Sequence, residues 1–157
     1  HAELSKEGIA LYYHNHDFEF VQHGGVFALD YLYDKVPNLK CELDTCWIKF
    51  ALQNPIDYLN KYKGRYDIVH LKDFICDNFS SSPYKLLNSD KNEEAKSSNF
   101  KFMPFGYGIQ DCMSLVKASA LNGAEYLIVE QDEAYDTPNL KAAEMSYNTI
   151  KDILNIL

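Results

Sequence analysis

Short apolar runs alternate with amphipathic stretches along the chain. Residues 9–13 are apolar and aromatic, follow a turn at Gly8 and end at His14-Asn15-His16, the pattern of a buried strand after a short helix. Phe27, Leu29, Leu32 and Val36 then recur at helical spacing and stop before Pro37, which predicts a helix over 26–36. A second strand is predicted over 39–44, and Asn54-Pro55 supplies an N-cap and a first-turn proline for a helix reaching about Lys63. The third strand covers 67–71. Residues 77–99, rich in Ser, Asn, Lys and Glu, form a polar insertion or lid. A helix over 110–121, with Met113, Leu115, Val116 and Ala120 on one side and Gly123 beyond its end, leads into a fourth strand at 126–129. Thr137-Pro138 is expected to cap a last helix whose Ala142, Met145, Ile150, Ile153 and Leu154 cover the sheet.

Strand–helix alternation implies right-handed crossovers and a parallel sheet, either open and doubly wound or curved into a barrel. The pattern alone leaves both open. At 157 residues the chain is one domain and falls short of the ~250 residues of a closed (β/α)8 barrel. It starts mid-pattern at His1, with no initiator Met, so an N-terminal half is expected to be missing.

Composition narrows the partners. A net charge of −8 with no basic patch disfavours nucleic acid, and no apolar run approaches the ~20 residues that span a bilayer. Cys41, Cys46, Cys76 and Cys112 form no paired motif, so free thiols and a cytoplasmic location are expected.

In every strand the polar residues follow the apolar run: His14 and His16, Asp44, His70 and Glu130. The C-terminal ends of parallel strands are where α/β enzymes keep their sites. Each residue alone has a plain structural explanation, such as a core histidine, a helix cap at Asp44 or a solvated strand exit at Glu130. Four such strand ends in phase instead suit one divalent cation with mixed N/O ligands: manganese first, then magnesium, cobalt, iron or zinc.

The strings Tyr13-His14-Asn15-His16-Asp17-Phe18-Glu19-Phe20, Glu42-Leu43-Asp44-Thr45, Val69-His70-Leu71-Lys72-Asp73 and Val129-Glu130-Gln131-Asp132 resemble the sugar phosphate isomerase/epimerase family of the xylose-isomerase-like superfamily. The resemblance implies an α/β fold of the (β/α)8 TIM-barrel type, with this chain as the C-terminal half barrel, about four βα units over 1–157. It implies a cation held by Asp44, His70 and Glu130, with His14 standing where many relatives carry a carboxylate and Glu19 the nearest acid to replace it. The implied chemistry is proton abstraction beside a carbonyl through a stabilised enediolate, with Glu130 as first base and Glu19 or a neighbouring histidine as its counterpart.

His16, Lys72, Gln131 and Asp132 are candidate contacts for a sugar or sugar phosphate, although an exposed lysine at a strand exit is common. Trp47 and Phe105 offer an apolar face to a sugar ring, with core packing as their plainer role. Gly106-x-Gly108 lacks the context of a phosphate loop. Rival functions are a dehydratase or lyase acting on a keto-sugar or cyclitol, and a sugar-binding module without catalysis. The related endonuclease chemistry is disfavoured by the missing basic groove. A half barrel has two open edges, so the expected protein partner is either a second copy in a homodimer or the missing N-terminal half.

Overall fold

The computed structural model describes residues 2–79 and 99–157. Most of the expected polar insertion, residues 80–98, lies outside the described residues; at its margins Asn99 donates to Asp77 at 2.6 Å. The fold is α/β, of the (β/α)8 TIM-barrel type, with four βα units.

Helix α1 (Ala2–Lys6) leads into strand β1 (Tyr12–His14), so the strand starts later than expected and takes in His14. Ile9 and Leu11 stay exposed ahead of it. A 3-10 turn (Phe18–Phe20) and a small hairpin, β2 (Gln22–His23) with β3 (Val26–Phe27), precede α2 (Ala28–Lys35). Val26 and Phe27, expected in the helix, are thus consumed by strand pairing. Strand β4 (Lys40–Asp44) runs straight into α3 (Thr45–Phe50), a helix the apolar pattern does not announce. Then come α4 (Pro55–Lys61), capped by Asn54 as expected, and β5 (Ile68–Leu71). A second hairpin, β6 (Asp73–Ile75) with β7 (Lys101–Met103), closes the ends of the 77–99 stretch. Helix α5 (Cys112–Leu121), β8 (Tyr126–Val129) and α6 (Asn139–Ile156) complete the chain. Pro138 occupies the cap position of α6 and no side chain caps it; the Thr137 amide instead donates to Ala134.

The main sheet has the parallel order β1-β4-β5-β8. Side chains alternate between its faces. Tyr13, Cys41, Leu43, Val69, Leu71, Leu127 and Val129 pack outward against Leu29, Tyr33, Tyr58, Leu59, Leu115, Val116 and Ile153 of the helices. The other set, His14, Glu42, Asp44, His70 and Ile128, lines the concave face, where pairing puts Asp44 level with His70 and His14 level with Glu42. A second core beneath the β6–β7 hairpin is almost wholly aromatic: Trp47, Phe50, Phe74, Phe100 and Phe102. The four cysteines are free. Among the described residues no helix is long and apolar enough to cross a membrane.

Candidate metal centre

Each strand end is tied to the next by the residue that follows its inward side chain. Buried Asn15 accepts from the Asp44 amide at 3.0 Å, and its own amide lies 3.4 Å from the Asp44 carbonyl. Thr45 donates to the His70 carbonyl at 3.0 Å and accepts from the Lys72 amide at 3.4 Å. Asp73 extends the chain of ties: its carboxylate accepts from the amides of Phe74, Gly106, Gly108 and Gln110. Gly106-x-Gly108 therefore wraps a protein carboxylate rather than a phosphate.

Asp44 serves two purposes at once. Oδ1 caps α3 by accepting from Cys46 at 2.8 Å and Trp47 at 3.3 Å, while Oδ2 lies 3.3 Å from His14 Nε2. His70 Nδ1 is 3.0 Å from Glu130 Oε2, and His14 Nε2 is 3.9 Å from the same oxygen. One donor atom from each of His14, Asp44, His70 and Glu130 lies within 4.8 Å of the other three. An octahedral cation with bonds of ~2.1 Å needs neighbouring donors about 3 Å apart and opposite ones about 4.2 Å apart, so side-chain shifts of under about 1 Å would close this set around one ion.

Lys72 is the departure from a simple ligand set. It is only 2% exposed, contrary to a solvated strand exit, and its Nζ sits 2.9 Å from Glu130, 3.0 Å from Asp132 and 3.6 Å from Asp44. The rings of Trp47 and Phe102 lie beneath it at 5.1 and 5.2 Å. Three carboxylates, Asp44, Glu130 and Asp132, thus face one ammonium, an excess of negative charge that a divalent cation would balance.

These contacts set the protonation states. Accepting from His70, against the opposing effect of burial and with Lys72 adding to it, holds Glu130 down at about 2. Burial works against charge on His70, yet Glu130, then Asp44 and Glu42, outweigh it and raise its pKa. Lys72 is likewise desolvated, but Asp44, Glu130 and Asp132 keep it charged. His16, whose ring centroid is 4.9 Å from that of His14, is lowered chiefly by burial and then by His14, so it is neutral at pH 7.

The other sequence candidates divide. Glu19 is buried with its oxygens on the Tyr13 hydroxyl at 2.6 Å and the His16 amide at 2.9 Å, so it braces the turn after β1 and does not join the ligand cluster. Trp47 is fully buried under His16 and Lys72, and Phe105 is buried as well; neither presents a face to a sugar, because the second core claims Trp47 and the main core claims Phe105. Gln131 donates to the Glu133 carbonyl at 3.0 Å, while Asp132 is drawn in by Lys72. Glu42, Asn15 and Thr45 carry site contacts that sequence reasoning did not single out; their signal was membership of two of the four motif strings.

No protein-family model matches the chain, and no curated protein sequence does. Solved structures do. A sugar phosphate isomerase/epimerase from Parabacteroides distasonis ATCC 8503 superposes with a TM-score of 0.66 at 19% identity, over 94% of this chain and 46% of its own. A xylose isomerase domain protein from Planctomyces limnophilus gives 0.66 at 14% identity, over 97% and 47%. A xylose isomerase domain protein from Alicyclobacillus acidocaldarius subsp. acidocaldarius gives 0.61 at 16% identity, over 98% and 53%. The chain spans about half the length of these proteins and shares with them the fold of sugar isomerase/epimerase-like barrels.

Proposed function

We propose that this chain is the cation-holding half of an enzyme that isomerises or epimerises a sugar or sugar phosphate by removing a proton beside a carbonyl. One observation carries the proposal: His14, Asp44, His70 and Glu130 converge at the C-terminal ends of four consecutive parallel strands. The names of the solved structures that share the fold point the same way.

A divalent ion such as manganese, held by these four residues, would supply positive charge to the carbonyl and neighbouring hydroxyl oxygens of a substrate. The residues supply the rest. Glu130, held at about 2, has little proton affinity and suits a ligand better than the base expected from sequence. His16 suits proton transfer better, since it is neutral at pH 7 and abuts His14. It takes the proton from the carbon beside the carbonyl and returns it to the former carbonyl carbon in an isomerisation, while the proton of the neighbouring hydroxyl passes to the former carbonyl oxygen. Lys72, charged and fixed by Asp132, donates a hydrogen bond to the oxygen on which negative charge gathers.

The test is metal content and proton exchange measured on the same preparation. After dialysis against manganese the wild type should hold one ion, and Asp44→Ala and Glu130→Ala none. In D2O a ketose or its phosphate should then take up deuterium at the carbon beside the carbonyl, with an acid limb below about pH 6.5 that vanishes in His16→Asn. A chain that binds no ion sinks the proposal.

Lys72 favours a second reading, a dehydratase, because its ammonium can protonate a departing hydroxyl after the same first step. An unsaturated product in place of simple exchange selects it. A sugar-binding module would gain melting temperature with sugar and exchange nothing.

A further inference from the structure

Two neighbouring residues in the turn after β1 invert the usual rule of burial. Phe18 is 47% exposed and Glu19, beside it, only 6%, so the aromatic ring stands outside while the carboxylate is inside. The turn is built to hold them this way. Glu19 accepts from the Tyr13 hydroxyl and the His16 amide, and Phe20 packs edge-on against Phe27 and Tyr58 at 5.7 and 5.2 Å. The Phe18 carbonyl accepts from the Val21 amide at 3.4 Å. Both residues after Phe18 are thus anchored inward, which fixes its backbone and leaves its ring at the rim of the site.

That ring lies against His16 and nearly parallel to it, with 11° between the planes and 5.4 Å between the centroids. Ring planes in contact are ~3.6 Å apart, so the two rings are offset sideways by about 4 Å and much of the Phe18 face extends past the imidazole. His16 in turn abuts His14 at 4.9 Å and Trp47 at 5.4 Å. The β8 side of the site is polar, held by Lys72 with Glu130 and Asp132. A sugar carries both characters, hydroxyl oxygens for the polar side and C–H faces for an aromatic one.

We infer that Phe18 is a substrate-binding residue, a platform for the C–H face of the sugar carbons that lie beyond the reacting pair. The inference rests on the proposed proton transfer at His16. With the reacting carbons between the cation and His16, the rest of a hexose chain runs along the uncovered part of the Phe18 ring. A three-carbon ketose lacks nearly all of that chain.

The experiment compares Phe18→Leu and Phe18→Tyr with the wild type, all loaded with Mn2+, by deuterium exchange into D-fructose and dihydroxyacetone. Leu keeps apolar bulk without a ring face, and Tyr keeps the face; at a half-exposed position both should melt with the wild type. KM for D-fructose should rise about 3–10-fold in Phe18→Leu with kcat within about twofold, while KM for dihydroxyacetone stays within about twofold. Phe18→Tyr should keep both wild-type values. Unchanged KM for D-fructose in Phe18→Leu overturns the inference. An equal rise for dihydroxyacetone overturns it too, because the effect would then lie at the reacting carbons, as does an equal loss in Phe18→Tyr, which retains the ring face. If the wild type binds no Mn2+ or exchanges neither sugar, the failure lies with the proposed chemistry. Trp47, the only tryptophan and in ring contact with His16, then reports binding by its fluorescence. D-fructose bound about 3–10-fold more weakly by Phe18→Leu keeps the platform, and equal binding or none removes it.

Discussion

Lys72 shows how a single side chain sets the terms for a whole site. A buried ammonium among carboxylates stabilises the metal-free chain, yet it sits on two of the oxygens a cation needs. Lys72→Met keeps the apolar stem over Trp47 and Phe102 but leaves Asp44 and Asp132 unbalanced. The expected result is a metal-free variant about 3 kcal/mol less stable by denaturant melt, with Mn2+ bound at least about tenfold more tightly because the competing charge is gone. Equal affinity in both proteins would show that Lys72 does not compete. Protonation follows the same contacts. The raised His70 contributes stability that is complete below its ordinary 6.5 and is lost as pH rises through its folded value. The lowered Glu130 contributes stability present above its ordinary 4.5 and lost as pH falls toward 2. Metal-free melting temperatures should therefore be highest between about pH 4.5 and 6.5, and Glu130→Gln should flatten both limbs. Cation affinity should run the other way and rise with pH, since an ion must displace the His70 proton. The four candidate ligands stand out in the sequence because each directly follows or ends an apolar run. The burial of Lys72 does not, because it comes from the aromatic floor of α3 and β7, two elements that no periodicity marks.

At the scale of elements, strands and amphipathic helices could be found from their spacing, whereas two short hairpins and the structures shaped by side-chain hydrogen bonds were missed. Helix α3 starts where Asp44 caps it, and the loop before α5 is shaped by Asp73. Neither leaves a hydrophobic period to detect. The polar contacts of Asp73 give a sharp prediction for Gly108. A Cβ there would lie 2.3 Å from Asp73 Oδ1 and 2.4 Å from the Phe74 carbonyl, so Gly108→Ala must push the loop off its anchor. Gly64 has φ +77° and open space around its Cβ position, so Gly64→Ala pays only local backbone strain of about 1 kcal/mol. Gly108→Ala should cost about 2–3 kcal/mol and expose residues 104–112 to protease, as should Asp73→Asn, which turns donors toward donors. Comparable melting temperatures for the two glycine variants would mean that the loop can shift freely.

For the molecule as a whole, the concave face decides solution behaviour. Strands β1 and β8 are the edges of the four-stranded sheet, and Tyr126 and Ile128 stand on the concave side of β8 at 61% and 41% exposure. Unpaired edges beside apolar surface favour association, and structures that share this fold continue for about twice the length of this chain. A net charge of −8 opposes the approach of two like copies, and salt screens that repulsion over ~8–10 Å. The purified chain should therefore self-associate, and more strongly as ionic strength increases, the reverse of an interface built on ion pairs. Light scattering during gel filtration should show dimer or larger species growing between low and moderate salt. Ile128→Lys, placed against the edge but outside the ligand set, should shift the population to monomer while leaving the Mn2+ stoichiometry intact. A wild type that stays monomeric at high concentration and high salt would show that these edges do not recruit a second copy, leaving a complementary half barrel as the partner to supply in trans.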